Sequence, residues 1–218
     1  LVYFPVAAWV WGGGWVMELG NLLGDYPGVI DYAGGTAVHI NAGAAALALA
    51  VVLGRRVVFS KGAHKPHNVP LVLLGAALLW FGWFGFNAGA EFLAEGMPGV
   101  GLIVVNTLGA TSAAILGWMI IEKLKDGKAT AVGAASGAVT GLVAITPACA
   151  NLTPGFALLL GVVAGVISAL AVDLKFKFGY DDSLDVVGIH LVAGLVGTLY
   201  LGFFAIDTGL FTGGDFGQ

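Results

Sequence analysis

The chain has 218 residues, 58% apolar and only 10% charged, with a net charge of −4 and a mean hydropathy of +0.94. Soluble domains carry roughly 25% charged residues, so an aqueous fold is excluded and the solvent is lipid, while the small negative charge excludes a nucleic-acid partner. The single cysteine, Cys149, forms no internal disulfide, and 36 glycines without a collagen period point to helices packed backbone to backbone in a membrane.

A helix crosses the hydrocarbon core with about 20 apolar residues. Seven segments are read as spans: Leu1–Val16, Tyr32–Leu53, Leu71–Ala90, Gly101–Ile121, Ala131–Thr146, Gly155–Leu174 and Val186–Ala205. The first is expected to be cut short by the chain's start, and the fifth is short. The runs are too long for barrel strands and lack period-two alternation. The fold class is therefore all-α, a polytopic transmembrane helix bundle. The chain starts with Leu1 inside an apolar run, shows no signal peptide, and ends at Asp215-Phe216-Gly217-Gln218. Residues 1–218 are expected to form one membrane domain truncated at both ends.

All nine basic residues fall in alternate loops. Arg55, Arg56, Lys61 and Lys65 follow the second span, Lys123, Lys125 and Lys128 the fourth, and Lys175 and Lys177 the sixth. The other loops carry only acids, among them Glu18, Asp25, Glu91 and Glu95. The positive-inside rule makes the basic loops cytoplasmic, so odd-numbered spans run outward and even-numbered spans inward. Rows of small residues four apart (Gly133, Gly137 and Gly141; Gly161 and Gly165; Gly85 and Gly89) allow close helix contact and carry no function of their own.

Ionisable groups inside spans are costly, so function is sought there. His39 lies within the second span and His190 within the seventh. Both begin a similar pattern, His39-Ile40-Asn41-Ala42-Gly43 and His190-Leu191-Val192-Ala193-Gly194, each with an acid upstream, Asp31 and Asp185. The two spans run in opposite directions, so this is a weak inverted repeat, and such repeats place a substrate site near the midplane. Either histidine alone could be a packing residue; the shared pattern favours a pair facing one pathway. A metal site would need a third ligand, and none is placed near both. Asp31 precedes Ala33-Gly34-Gly35 and can cap the helix, orient a cation at the outer mouth, or do both. Trp9, Trp11 and Trp15 surround Gly12-Gly13-Gly14, and Trp80, Phe81, Trp83, Phe84 and Phe86 fill the outer half of the third span. Most belong to an aromatic belt or to packing, with one or two able to line a cation site. His64 and His67 are read as solvated loop histidines, and Asp181/Asp182 and Glu122/Lys123 as surface charge.

These stretches resemble the ammonium transporter family (Amt/Mep/Rh). The matching motifs are Trp11-Gly12-Gly13-Gly14, Asp31-Tyr32-Ala33-Gly34-Gly35-Thr36-Ala37-Val38-His39-Ile40-Asn41, Lys65-Pro66-His67-Asn68, Gly82-Trp83-Phe84-Gly85-Phe86-Asn87-Ala88-Gly89, Val105-Asn106-Thr107, Thr146-Pro147-Ala148-Cys149 and Asp185-Val186-Val187-Gly188-Ile189-His190. They run in family order over nearly the whole chain, and the bacterial or archaeal Amt branch is nearer than the Rhesus branch.

The resemblance implies an eleven-helix fold, of which this chain holds helices four to ten, in a multi-pass protein of the cell membrane. It implies a homotrimer with one pore per subunit, no cofactor, no enzyme chemistry, and a nitrogen-regulatory signalling protein as a partner on the cytoplasmic face. By motif position Trp11 is the indole of the outer ammonium site, Asp31 the acid supporting it, Phe86 one of two gate phenylalanines, and His39 and His190 the twin pore histidines. Ala90 stands where the family often has a serine whose hydroxyl bonds the recruited ion. The expected function is transport: ammonium is held at Trp11, loses its proton near Phe86, and passes as ammonia along the histidines. The competing readings are an ammonium sensor, a passive Rhesus-type gas channel and a membrane metalloenzyme.

Overall fold

A computed structural model describes residues 1–24, 28–59, 66–93 and 96–213. Asp25, Lys61, His64, Lys65, Glu95 and the last residues of the chain lie outside the described residues. The described residues form nine α-helices and no strand: α1 (Tyr3–Trp11), α2 (Leu19–Gly24), α3 (Asn41–Leu53), α4 (Val69–Ala88), α5 (Val100–Asp126), α6 (Ala131–Ile145), α7 (Pro154–Ala171), α8 (Leu174–Phe178) and α9 (Ala193–Phe204). A π-helical turn precedes α3 (Gly35–Ile40) and another precedes α9 (Val187–Val192), and a 3₁₀ turn, Gly89–Leu93, extends α4.

Five of these helical stretches are long and apolar enough to cross a membrane. The two remaining predicted spans come out shorter. The first is helical only to Trp11, because Gly13 takes a positive φ of 75° and the chain turns through Gly12–Met17. The fifth, α6, has 15 residues. Pro147 follows its end and has no N–H to continue the ladder. Termini elsewhere follow ordinary chemistry. The Asn68 side chain accepts from Leu71 N at 3.0 Å to start α4, with Pro70 in the first turn. Thr130 caps α6 through Gly133 N at 3.0 Å. Glu122, expected as surface charge, is half-buried and accepts from Thr130 N and Oγ1, both at 2.7 Å.

The core is α5, α6 and α7 in mutual contact, with α4 and α9 laid against α6. Its small residues are what allow the approach. A Cβ on Gly161 or Gly165 would strike the backbone of Ala110 or Ala114, and one on Gly141 would meet Thr111 Cα at 2.6 Å. Ile103, Leu142, Ile145, Leu152 and Leu160 are fully buried around them. Gly85 and Gly89, by contrast, face open space among the described residues.

The two π turns repeat one device. The Asp31 carboxylate accepts from Gly34 N (3.0 Å), Gly35 N (2.5 Å), Thr36 N (2.9 Å) and Ala37 N (3.0 Å), gathering the free amides at the start of the first turn. At the second turn the equivalent acid is Asp182, not Asp185. Asp182 is 7% exposed and accepts from Val186 N at 3.1 Å and Val187 N at 2.7 Å. This overturns the reading of Asp182 as surface charge and of Asp185 as the partner of Asp31. Asp185 instead has a positive φ of 58° and pairs with Lys175 Nζ at 2.5 Å. Burial raises its pKa against the opposing pull of that lysine. With Asp31 laid on Asp182, His39 falls on His190, Ile40 on Leu191 and Gly43 on Gly194. The contacts obey that register. A Cβ on Gly43 would overlap the Leu191 backbone, and one on Gly194 would lie 3.0 Å from Ile40 Cγ1. α3 packs on the second π turn and α9 on the first, as a two-fold relation requires.

The repeats are tied at the basic end of the bundle. Arg55 Nε donates to Gly179 O at 2.5 Å, and Arg56 makes a forked pair with Asp181, Nε to Oδ2 at 2.7 Å and Nη2 to Oδ1 at 2.6 Å. The end of α3 therefore meets the start of the second π turn, so the two run antiparallel. The Arg56 hydrogen bond holds the Asp181 carboxyl down at about 2. A depressed folded value means this pair stabilises fully above the ordinary carboxylate range, and that contribution is lost progressively as pH falls from there through about 2. Lys125 pairs with Asp173 at the same end.

Two outcomes follow for thermal unfolding of the full-length protein in detergent. Asp182→Ala lowers stability by about 1–2 kcal/mol, while Asp182→Asn, which keeps an acceptor, loses well under half of that. Gly165→Val costs roughly 3 kcal/mol or more by overpacking, whereas Gly155→Val, with nothing within 4 Å of its added carbon, unfolds near the parent temperature.

Candidate functional site: a pair of histidines on facing π turns

Both candidate pore histidines lie on π-helical turns, His39 on Gly35–Ile40 and His190 on Val187–Val192. A π turn is a rare local geometry that redirects side chains relative to an α-helix and recurs at functional sites. Here it brings the two imidazoles side by side in a tilted arrangement, with ring centroids 5.5 Å apart and planes at 43°. His39 is 3% exposed and His190 half-buried. His39 Nε2 and His190 Nδ1 are buried and have no hydrogen-bond partner among the described residues. Several other buried polar atoms in the bundle share this condition, among them Trp80 Nε1 and Ser168 Oγ, but only here among the described residues do two lie on neighbouring rings, each free to donate or accept a hydrogen bond.

Aromatic rings also pack on His39. Trp83 stacks on it at 5.3 Å and 17°, Phe86 at 5.7 Å and 23°, and the two aromatic rings stack on each other at 5.2 Å. Phe86 is 39% exposed, so one side of this stack is open. Trp83 is buried, and its Nε1–H donates to Thr146 Oγ1 at 2.9 Å. That hydroxyl donates in turn to Leu142 O at 2.8 Å. The indole is thereby held flat on the imidazole from α6. Trp83 had no role assigned from the sequence, since five aromatics crowd that span. The signal lay in spacing: Trp83 and Phe86 are three apart and share a helix face.

Trp11 sits at the other side of the first π turn. Its Nε1–H donates to the Asp31 carbonyl oxygen at 2.7 Å, and the indole remains 41% exposed. Gly34 takes a φ of +122°, and a Cβ there would strike Val38 Cγ2 at 2.6 Å while only touching the Trp11 indole at 3.4 Å. Asp31 itself is 6% exposed, and its carboxylate serves four amides. It acts on the site through the backbone it shapes. Ala90 lies half-buried in the 3₁₀ turn after α4, one helical turn beyond Phe86. Cys149 is buried in the turn after α6, where Asn106 donates to its carbonyl at 2.9 Å. His67 is exposed, as a loop residue should be.

The model of the Ammonium Transporter Family matches residues 1–217. The ammonium transporter of Mycobacterium tuberculosis is 55% identical over 230 residues, covering 100% of this chain and 48% of its own length. That of Bacillus subtilis is 45% identical over 216 residues, covering 99% of this chain and 50% of its own. The chain spans about half the length of the curated relatives it matches. Among solved structures, Saccharomyces cerevisiae Mep2 superposes with a TM-score of 0.82 at 39% identity, over 94% of this chain and 46% of that one. A protein described as a sensor Amt protein superposes with a TM-score of 0.81 at 31% identity, over 95% of this chain and 52% of its own. Matched by the family model over residues 1–217 and, over its whole length, 55% identical to a curated member, the chain belongs to the ammonium transporter family.

Proposed function

We propose that the protein containing this chain carries ammonium or ammonia across the cell membrane along a path lined by His39 and His190. The observation that carries this reading is the pair of facing imidazoles, each with a buried nitrogen that has no partner among the described residues. Neutral imidazoles both donate and accept, as ammonia does.

The steps follow from cost. The exposed indole face of Trp11 attracts a small cation by a cation–π contact. A bare cation entering an apolar, water-poor path is expensive, so ammonium gives up its proton near Phe86, where the aromatic stack covers His39. Ammonia then moves past the two ring nitrogens, and the proton either returns outside or passes along the imidazoles. Potassium has no proton to give and is refused by the cost of dehydration. On this reading Ala90, lacking a hydroxyl, leaves more of the recruitment to Trp11. The apolar side chains exposed on α4, such as Leu74, Leu78 and Phe81, face lipid or neighbouring subunits of a homotrimer. The basic end of the bundle is then the face offered to a nitrogen-regulatory signalling protein. A second reading, an ammonium sensor, is favoured by the likeness to the sensor Amt protein.

The test uses the full-length protein in liposomes on a solid-supported membrane. An ammonium pulse gives a transient current in the parent, and His39→Ala with His190→Ala reduces it at least about tenfold, equivalent to ~1.4 kcal/mol, with no potassium current in either. Internal pH changes without current indicate a passive gas channel, and neither signal in folded protein leaves the sensor. Trp11→Leu raises the half-saturating ammonium concentration about fivefold, the loss of a cation–π contact worth ~1 kcal/mol, and leaves the maximal current largely intact.

A further inference from the structure

Glu91 stands outside the pore just described. It lies in the 3₁₀ turn after α4, is 9% exposed, and has both carboxylate oxygens engaged. The Tyr32 hydroxyl donates to Oε2, and the Gly99 N–H donates to Oε1 at 2.9 Å. One side chain thus joins three segments: the end of α4, the N-cap of α5, and the residue next to Asp31. Gly99 is shaped to receive it, since a Cβ there would sit 2.6 Å from Oε1. A carboxylate is a costly group to enclose unless hydrogen bonds satisfy it, and the sequence signals its presence only as another acid in an outer loop.

What the brace holds matters for recruitment. Tyr32 N donates to Pro147 O at 3.1 Å and Ala33 N to Thr146 O at 3.2 Å, so the strand of chain after Asp31 is pinned by its backbone and by its one hydroxyl. The carbonyl on which the Trp11 indole hangs is that of Asp31, immediately before this pinned stretch. Resting on the transport reading above, we infer that Glu91 is a positioning residue for the outer cation site: through Tyr32 it fixes the Asp31 carbonyl and with it the orientation of the Trp11 indole. Its neighbour Ala90 offers an incoming ion no hydroxyl, so the indole's orientation sets more of the affinity. The effect runs through hydrogen bonds; the carboxylate's two oxygens are already committed.

The experiment measures transport current against ammonium concentration for the full-length protein in liposomes, resolving half-saturation from maximal current. Glu91→Ala and Tyr32→Phe each raise the half-saturating concentration about fivefold, and their combination is no worse than either alone, as expected of two ends of one hydrogen bond. Maximal current stays within about twofold. Gly99→Ala, which pushes the carboxylate from its seat, gives the same shift. Glu91→Gln keeps an acceptor for Gly99 N–H and an amide to bond the Tyr32 oxygen, and restores half-saturation to within about twofold. If Glu91→Ala fails to fold, Tyr32→Phe, which leaves the Gly99 tie intact, decides alone. Unchanged half-saturation in Tyr32→Phe and Glu91→Ala overturns the inference. So does a Glu91→Gln variant as weak as Glu91→Ala, which would make the charge the active property, or a fall confined to maximal current. A parent protein with neither current nor internal pH change at any concentration defeats the transport reading instead, a result none of the Glu91 outcomes can mimic.

Discussion

The structure depends on one constraint: two imidazoles must face each other inside a bundle solvated by lipid, and their backbone must be satisfied without water. A π turn aims the rings but leaves amides free at its start, and a free amide in hydrocarbon costs several kcal/mol. Asp31 and Asp182 answer that need at the two turns. Buried carboxylates are themselves costly, yet here each is surrounded by donors. The acid and the histidine eight residues later therefore form one unit, repeated twice with inverted direction.

Much of this could be read from the residues, and the parts that could not have physical reasons. That His39 and His190 lie together was legible from their shared pattern and from the cost of an ionisable group inside a long apolar run. The inverted relation was legible from charge in the loops. Its register was not, because the acid nearest His190 is Asp185, five residues upstream, and Asp182 hides in an Asp-Asp pair typical of surface turns. Only the eight-residue offset shared with Asp31 separates them. The first span was overextended because hydropathy counts Gly12-Gly13-Gly14 as neutral, whereas the backbone uses Gly13 to leave the helix. Trp83 was lost among equivalent aromatics, since stacking on His39 is decided by a helix rotation that composition does not encode.

The glycines divide in the same physical way. Gly137, Gly141, Gly161 and Gly165 carry neighbouring backbone within contact distance, Gly133 meets the Glu122 side chain, and Gly43 and Gly194 let the two π turns approach each other. Gly85 and Gly89 share the spacing but meet nothing among the described residues. Four-residue spacing thus reports a surface capable of close approach; only the partner decides whether it is used. Between lipid-solvated helices, where tail and side chain are equally apolar, close contact of small residues supplies the attraction that hydrophobic burial supplies in water.

The two ends of the bundle are held by different chemistry. At the basic end, Arg56–Asp181 and Lys175–Asp185 are ion pairs, partly exposed and spread over separate loops. Arg56–Asp181 fixes the antiparallel order of the repeats where the chain meets water, and Lys175–Asp185 closes the loop before the second π turn on itself. At the other end the ties are hydrogen bonds to backbone and hydroxyl groups: Trp11 to the Asp31 carbonyl, Tyr32 to Glu91, and residues 32 and 33 to 146 and 147. On the proposed transport reading, a site that attracts a small cation gains nothing from fixed positive charge beside it, because a nearby ammonium or guanidinium would repel the ion and compete for the indole face. Neutral donors and a fully engaged carboxylate brace that end without setting a cation there.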